Sequence, residues 1–206
     1  MRRRDWPDMA LAAGLEAPVA GVDEVGRGPL AGPLVAGAVV LAPGALPEGV
    51  ADSKTLTPRM RERVDALIRE RALVGLGVVE PGEIDRLGLS AANDLAMLRA
   101  IAALPARPAS VIVDGRRLPA GLPCAGRAVI GGDRLVAAVA AASIVAKVAR
   151  DRRMVALDAA HPAYGWARNK GYPTPEHRAA LAEHGVTPQH RRSFAPVAAR
   201  LATPAR

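Results

Sequence analysis

The chain has a single cysteine, few aromatic residues and no long apolar run, and each scarcity excludes a class of protein. With only Cys124, no intramolecular disulfide can form, which is typical of proteins in the reducing cytosol. The longest apolar stretch, residues 136–146, ends at Lys147, well short of the roughly 18–20 residues that a membrane span needs. No apolar segment of the signal-peptide kind follows the opening arginines. We therefore expect a cytoplasmic protein that is neither exported nor embedded in a membrane.

Lysine is also scarce, with three residues against 25 arginines. The formal net charge of +8 favours a polyanionic partner such as nucleic acid. An ammonium group is a compact point charge, whereas a guanidinium is a wide planar fork. Lys54, Lys147 and Lys170 are therefore candidates for positions that need the ammonium itself.

The size and composition are those of one globular domain. A chain of 206 residues can bury a substantial core, and a second full domain would leave each half small. Half of the residues are hydrophobic and 23% are charged, which is typical of a folded protein. We expect one domain over residues 1–206 that is monomeric, with a motif-bearing core over about 18–197 and a tail that frays after Phe194.

Apolar segments that alternate with helical periodicity predict an α/β fold. The predicted strands are residues 19–25, 34–41, 73–79, 110–113 and 128–130. The predicted helices begin at Thr57-Pro58 and at Ser90, run over residues 135–157, and extend from Thr174-Pro175 to Gly185. The close spacing of the first two strands indicates an antiparallel hairpin. Together these elements predict a mixed sheet flanked by helices.

Four carboxylates, Asp23, Glu24, Asp114 and Asp133, fall at the ends of predicted strands close to glycine. Like charges in a cluster repel and raise one another's pKa unless a cation is bound, and oxygen donors without His or Cys select Mg²⁺ or Mn²⁺. A single Asp beside glycine is, however, commonly a turn or cap residue. Asp23 and Glu24 pose a further difficulty, because neighbours in a strand point to opposite faces unless the strand twists or ends there.

The motifs and their order resemble the type 2 ribonuclease H family, ribonuclease HII, over about residues 21–197. The opening motif, residues 21–33, is long and highly specific. The other matching segments are Asp52-Ser53-Lys54, Val113-Asp114-Gly115, residues 141–151, Lys170-Gly171-Tyr172 and residues 190–194. The resemblance implies a ribonuclease H-like α/β fold, with a mixed five-stranded sheet flanked by helices.

The resemblance also implies an activity and a metal site. Asp23, Glu24, Asp114 and Asp133 are expected to be the catalytic residues and to hold two divalent ions, Mg²⁺ or Mn²⁺. The expected enzyme hydrolyses the RNA strand of RNA–DNA hybrids and nicks duplex DNA 5′ of embedded ribonucleotides, leaving 3′-hydroxyl and 5′-phosphate ends. Its partners would be RNA–DNA hybrids and ribonucleotide-containing duplex DNA.

Nine motif residues are expected to bind substrate: Gly26, Arg27, Gly28, Ser53, Lys54, Ser143, Lys147, Lys170 and Tyr172. The loop Gly26-Arg27-Gly28 resembles the family loop that contacts the ribose 2′-hydroxyl, the group that distinguishes RNA from DNA. Tyr172 matches the family tyrosine that packs on the neighbouring sugar, although a lone tyrosine is equally well a core aromatic. Ser143, Lys147 and Asp151 share one stripe of a helix, which is either a phosphate-binding edge or, for Asp151, a solvated face.

Other features separate the family member from its alternatives. The histidines at 161, 177, 184 and 190 have no ligand spacing, and we expect them to cap helices or face solvent. The chain departs from the common family pattern at Gly131, where lysine is usual, and at Asn169, where histidine is usual; the first is expected to weaken phosphate binding beside Asp133. A DNA-processing relative with a similar carboxylate cluster would not need the Gly26-Arg27-Gly28 loop. A non-catalytic nucleic-acid-binding module would explain the charge but not four carboxylates.

Overall fold

The computed structural model describes residues 6, 14–42, 44, 46–51 and 53–202; Asp52 of the Asp52-Ser53-Lys54 motif lies outside them. The strands are β1 (Val19–Val25), β2 (Leu34–Leu41), β3 (Ala72–Val79), β4 (Ser110–Asp114) and β5 (Ala125–Val129). They form one five-stranded sheet in the order β3-β2-β1-β4-β5. β1 is antiparallel to β2, and β2 to β3, whereas the β1–β4 and β4–β5 pairs are parallel. The predicted mixed sheet and its opening hairpin are confirmed.

The helices lie on both faces of this sheet. They are α1 (Pro58–Arg71), α2 (Pro81–Leu87), α3 (Leu89–Ala102), α4 (Gly132–Leu135), α5 (Ala137–Ala160), α6 (Trp166–Asn169), α7 (Pro175–His184) and α8 (Ala195–Ala202), with a 3₁₀ turn at Pro162–Tyr164. The predicted caps are present, since the side chain of Thr57 accepts from the Met60 N–H at 3.3 Å and that of Thr174 from the His177 N–H at 3.2 Å. Among the described helices, none is both long and apolar enough to cross a membrane.

The helix α5 lies directly on the centre of the sheet because glycine removes the side chains that would hold it away. A Cβ built on Gly21 of β1 would lie 2.2 Å from the carbonyl carbon of Ala138, and one on Gly37 of β2 would lie 2.5 Å from the carbonyl oxygen of Ala142. Because backbone contacts backbone, the register of α5 on the sheet has little freedom to change. This contact determines where the polar side chains of α5 meet the end of β1.

The opposite face of the sheet is covered by α3. Its small and apolar residues pack against alternate residues of β1 and β2 in one cluster that includes Ala20, Val22, Ala36, Ala38, Ala96 and Ala100. On β3, a Cβ built on Gly77 would lie 2.0 Å from the carbonyl oxygen of Ala96. The helices α3 and α5, on opposite faces of the sheet, therefore both pack with their backbone directly against the backbone of the strands.

Three expectations about element boundaries were wrong. β5 covers residues 125–129 and not 128–130, and Ile130 lies beyond it with 68% of its surface exposed. The single helix expected over residues 135–157 is two helices, because the backbone of Val136 is extended (φ −127°, ψ 118°) and its side chain is buried against Ile112 and Val139. The segment after Phe194 does not fray at once but forms α8, anchored by the buried Val197.

Two of the four histidines also differ from expectation. His177 and His190 are fully buried, and their rings contact each other and the rings of Tyr164 and Trp166. The Trp166 Nε1–H donates to His177 Nε2 at 3.0 Å. Burial lowers the pKa of His190 to about 4, so that the ring is neutral at physiological pH. The sequence spacing of the histidines gave no sign of this aromatic core.

The close approach of α3 can be tested with paired alanine variants. Gly77→Ala should destabilise the protein by about 1–3 kcal/mol, because the new methyl group must displace the α3 backbone. For a chain of this size each kcal/mol lowers Tm by roughly 2–4 °C. The matched control is Gly82→Ala in α2, where nothing lies within 4 Å of the new Cβ. Thermal unfolding of both variants is the measurement, and equal Tm values would contradict the backbone-contact interpretation.

Candidate active site

The sheet register brings three carboxylates to one edge. β1 and β4 are parallel neighbours in which Val22 pairs with Val113, so that Asp23 and Asp114 follow directly on adjacent strands. Asp114 is itself paired with Val129, the last residue of β5, and Asp133 lies in α4 just beyond. The carboxyl ends of parallel strands are where α/β proteins commonly bind ligands.

Asp23 and Glu24 both reach this edge, which answers the difficulty that adjacent strand residues point to opposite faces. The Asp23 Oδ1 accepts a hydrogen bond from the Glu24 backbone N–H at 2.8 Å, which turns the carboxylate along the strand. Both side chains border one depression of about 400 Å³. β1 ends at Val25, one residue after Glu24, so the pair lies at the carboxyl end of the strand, where both side chains can border the depression.

The depression also collects most of the residues expected to act on substrate. Its lining consists of Asp23, Glu24, Val25, Ser53, Lys54, Asp114, Ser143, Lys147 and Tyr172. Asp133 is joined to it through Lys54, whose Nζ lies 3.4 Å from the Asp133 Oδ2. Segments that are distant in the sequence therefore meet at one place.

Burial and mutual repulsion disfavour the ionised forms of these carboxylates. Burial raises the pKa of Asp23 well above its usual range, and the charges of Glu24 and Asp114 raise it further. Burial likewise raises the pKa of Glu24, against the lowering effect of Arg27, whose Nη1 lies 3.5 Å from Glu24 Oε1. Burial and Asp133 raise the pKa of Asp114, although the Gly132 N–H donates to its Oδ1 at 2.7 Å. A bound divalent cation would remove this repulsion.

The donor set fits a hard divalent ion in an open site. In the part of the chain that the structure describes, no group of three His, Cys, Asp or Glu side chains is closed around a common point. Mg²⁺ does not need such a cage, because it commonly keeps several waters and is bound through one or two carboxylates together with substrate phosphate oxygens. Carboxylates that border an open depression are compatible with that mode of binding.

Two serines connect α5 to the carboxylates. The hydroxyl of Ser143 is hydrogen-bonded to Asp23 and lowers its pKa, and the hydroxyls of Ser143 and Ser53 are 3.0 Å apart. An ionised carboxylate can only accept, so Ser143 donates to Asp23 and Ser53 donates to Ser143. This arrangement orients Asp23, and both serines also border the depression.

The three lysines do not share one environment. Lys54 is 81% exposed beside Asp133. Lys147 borders the depression; its Nζ donates to Asp151 Oδ1 at 2.7 Å, and burial lowers the pKa of Lys147. Lys170 lies outside this lining: its ammonium donates to the carbonyl of Ala167, and it borders a second depression of about 290 Å³ between α1 and α5. The structure thus separates Lys170 from the other two.

The loop after β1 and Tyr172 lie next to each other and form a wall beside the site. Arg27 and Gly28 are exposed, and a Cβ built on Gly28 would lie only 3.7 Å from Tyr172 Cε1. Tyr172 is 38% exposed, so it is not a core aromatic. The exposed ring and the exposed loop are adjacent. Tyr172 borders the depression that contains the carboxylates, and the loop contacts Glu24 through Arg27.

The two departures from the family pattern have clear surroundings. The buried Asn169 donates from Nδ2 to the Tyr164 carbonyl at 2.7 Å and accepts the Gly171 N–H at 2.8 Å, which shapes the turn before Tyr172. Beside Gly131, a built Cβ would lie 2.8 Å from the Arg134 Nη2. The Arg134 Nε lies 4.0 Å from Asp133 Oδ1. Arginine therefore supplies a positive charge beside Asp133 in the space next to Gly131.

Two residues that the sequence did not single out, Arg150 and Arg191, are fully buried behind the Gly26-Arg27-Gly28 loop. Both fall inside the motifs that carry the family resemblance. Because arginine is abundant in this chain, composition could not distinguish a buried guanidinium from an exposed one.

Known proteins are similar to this chain in sequence and in fold. The family model described as Ribonuclease HII matches residues 20–197. Ribonuclease HII of Paracoccus denitrificans is 55% identical over 197 residues, which is 94% of each chain. Ribonuclease H2 from Pyrococcus horikoshii OT3 superposes with a TM-score of 0.78 at 29% identity over 88% of this chain and 95% of that one. Bst-RNase HIII in complex with Mn²⁺ shares the fold at 20% identity and a TM-score of 0.72, over 98% of this chain and 75% of that one. The chain belongs to the ribonuclease HII family.

Proposed function

We propose that this protein is an endoribonuclease that hydrolyses the RNA strand of RNA–DNA hybrids and nicks duplex DNA 5′ of embedded ribonucleotides, leaving 3′-hydroxyl and 5′-phosphate ends. The observation that carries the proposal is the single depression that acidic residues with raised pKa values share with an exposed tyrosine; the exposed loop lies next to that tyrosine. An enzyme of this kind would serve the removal of ribonucleotides from DNA, and it would need no second copy of the chain.

In this proposal Asp23, Glu24, Asp114 and Asp133 hold two divalent ions, Mg²⁺ or Mn²⁺. When bound, such ions supply an activated water molecule and stabilise the charge on the leaving oxygen. The donor set supports the assignment, because it contains only hard oxygen ligands and because burial and mutual repulsion leave the acids in need of a cation. The presence of Mn²⁺ in the related Bst-RNase HIII is consistent with it.

Neighbouring side chains prepare the carboxylates for this role. Ser143 holds Asp23 in one orientation through a hydrogen bond, and Ser53 holds Ser143. Two lysines offer positive charge to the phosphates of a nucleic acid strand. Lys54 lies beside Asp133, and Lys147 borders the depression. Lys170 would contact the strand farther out, beyond the depression that the carboxylates border.

Recognition of the ribonucleotide is assigned to the wall formed by the Gly26-Arg27-Gly28 loop and Tyr172. The backbone of Gly26, Arg27 and Gly28 would contact the 2′-hydroxyl, since two glycines allow a ligand to approach the chain closely. The exposed Tyr172 ring would pack on the adjacent sugar. A nuclease that acts on DNA alone would have no use for a 2′-hydroxyl contact, so this wall favours the ribonuclease over the DNA-processing alternative.

The catalytic assignment is tested by Asp23→Asn. The amide keeps the shape of the side chain but loses the charge that a metal ion needs, so cleavage of an RNA–DNA hybrid in Mg²⁺ should fall by at least ~10³-fold, a loss typical of essential catalytic groups. Glu183→Gln, an exposed acid on α7, is the matched control and should retain full activity. An Asp23→Asn enzyme with a tenth of the original turnover would remove Asp23 from the metal site. A wild-type enzyme that cleaves without divalent ions would refute the metal dependence.

Asp23→Asn should also change the thermal stability of the metal-free protein. The pKa of Asp23 is raised in the folded state, so the folded protein holds the proton more tightly than the unfolded chain, and ionisation of Asp23 destabilises the fold as pH rises above about 4. Each unit of raised pKa corresponds to about 1.4 kcal/mol. In EDTA, Asp23→Asn should therefore have a higher Tm than wild type at pH 7, with the difference shrinking toward pH 4. Added Mg²⁺ should raise the Tm of wild type more than that of the variant, and the opposite ranking would exclude a metal ion at Asp23.

The role of Tyr172 is tested on a duplex with one embedded ribonucleotide. If the ring positions the sugar, Tyr172→Ala should lower kcat by on the order of 10²-fold with little change in KM, because small displacements disrupt the in-line geometry of attack. Tyr172→Phe, which removes only the hydroxyl, should retain most of the activity. Equal and severe losses in both variants would assign the role to the hydroxyl, and full activity in both would remove Tyr172 from the recognition wall.

A further inference from the structure

Two fully buried arginines, Arg150 on α5 and Arg191 before α8, donate their hydrogen bonds to backbone carbonyls. Arg191 donates from Nε to the Gly32 carbonyl at 3.0 Å, from Nη1 to the Arg27 carbonyl at 3.0 Å, and from Nη2 to the Gly26 carbonyl at 2.6 Å and the Gly32 carbonyl at 2.9 Å. Arg150 donates from Nε to the Pro33 carbonyl at 2.9 Å, from Nη2 to the Ala31 carbonyl at 3.2 Å, and from Nη1 to the Lys170 carbonyl at 3.0 Å.

The acceptors form a pattern. Five of the six carbonyls belong to residues 26–33, which connect β1 to β2, and the sixth belongs to Lys170, two residues before Tyr172. Within this region Arg27, Gly28 and Tyr172 are exposed, whereas Gly26, Leu30 and Gly171 are buried. The guanidinium groups therefore hold the buried bases of the two exposed elements that form the proposed recognition wall.

The two elements are also joined directly. The Leu30 N–H donates to the Gly171 carbonyl at 2.8 Å. The backbone of Gly171 lies so close to the loop that an added Cβ would be 2.4 Å from the Ala31 carbonyl oxygen. The guanidinium carbon of Arg150 lies 5.8 Å from the centre of the Tyr172 ring. Loop, tyrosine turn and both arginines thus form one packed unit, called here the arginine-braced wall.

Burying a charged guanidinium in this space carries a large desolvation penalty. Burial disfavours its charged form and lowers the pKa of Arg191 to about 9, and well-packed apolar side chains usually fill a core at a smaller energetic penalty. What an apolar side chain cannot do is present several donors in one rigid plane. Such a plane fixes the spacing of the carbonyl oxygens to which it donates, so that the positions of several backbone segments are set together.

We propose that Arg150 and Arg191 are positioning residues that set the distance between the Gly26-Arg27-Gly28 loop and the Tyr172 ring, and so determine selectivity for a ribonucleotide. The inference rests on the proposed recognition roles of that loop and of Tyr172. Neither arginine contacts the substrate. Each acts through the backbone that it holds, and the two carbonyls nearest the exposed apex, those of Gly26 and Arg27, are both held by Arg191.

The test is Arg191→Lys, which keeps the charge but replaces the planar fork by a single ammonium. On a duplex with one embedded ribonucleotide, kcat should fall by on the order of 10²-fold with KM changed less than about 3-fold, because the sugar is misaligned and not released. In the inactive Asp23→Asn background, the ratio of affinities for ribonucleotide-containing and all-DNA duplexes should also fall. Arg99→Lys is the control, since Arg99 bonds the Val78 carbonyl and Glu83 on α2, away from the site, and should leave both quantities unchanged.

Chemical rescue covers the case in which lysine is not tolerated. In Arg191→Gly the vacated space should accept free guanidinium, and millimolar guanidinium chloride should restore kcat at least 10-fold, whereas urea, which is similar in shape but neutral, should not. Rescue of kcat without a matching rise in Tm would support positioning. If Arg191→Lys and Arg191→Gly lower only Tm, and kcat and selectivity at a permissive temperature equal those of wild type, the arginine is merely structural and the inference is wrong.

The failure of the inference differs from the failure of the proposed function. If Tyr172→Ala loses selectivity while Arg191→Lys retains it, the recognition wall stands and the bracing role is refuted. If wild type binds and cleaves ribonucleotide-containing and all-DNA duplexes equally, the recognition roles of the loop and Tyr172 are refuted, and the bracing role is refuted with them.

Discussion

The contact between α5 and the first two strands has no side chain between the two backbones at Gly21 and Gly37, and the candidate site depends on it. The same helix carries Ser143, which is hydrogen-bonded to Asp23, Lys147, which borders the depression, and Arg150, which donates to a carbonyl of the loop after β1. These residues share one face of the helix, so a rotation or shift of α5 would move all of them together. Backbone contact makes such a shift costly, which explains how a run of alanines can position polar chemistry.

The site also shows how a basic protein can contain an acidic centre. Burial and repulsion raise the pKa values of Asp23, Glu24 and Asp114, yet Arg27 lies beside Glu24, and Lys54 and Arg134 lie beside Asp133. The basic rim attracts a polyanion, and the acidic centre attracts divalent cations. A nucleic acid strand crossing the rim would therefore bring its phosphates to the carboxylates that are proposed to hold the metal ions. Neither charge sign alone would give this arrangement.

Arginine has two distinct uses in this chain. On the surface it forms exposed ion pairs, such as Arg117 with Asp94, which contribute little to stability. In the interior Arg150 and Arg191 organise backbone carbonyls, a use for which lysine lacks the geometry. The abundance of arginine over lysine thus hides a small group of arginines whose replacement is not conservative.

The local features of the fold follow from the sequence alone. Runs of apolar and β-branched residues that end in glycine and proline gave the bounds of β1 and β2, and Thr-Pro pairs gave the starts of α1 and α7, because these signals act between neighbours in the chain. The carboxylates at strand ends and the family resemblance were also visible in the sequence, although the sequence left open how Asp23 and Glu24 could both reach one site. Which polar residues are buried became visible only in the folded structure. His177 and His190 enter an aromatic core, Lys170 leaves the depression, and Arg191 meets carbonyls of residues about 160 positions earlier in the chain. Burial of this kind depends on which distant segments pack together, and no pattern of near neighbours reports it.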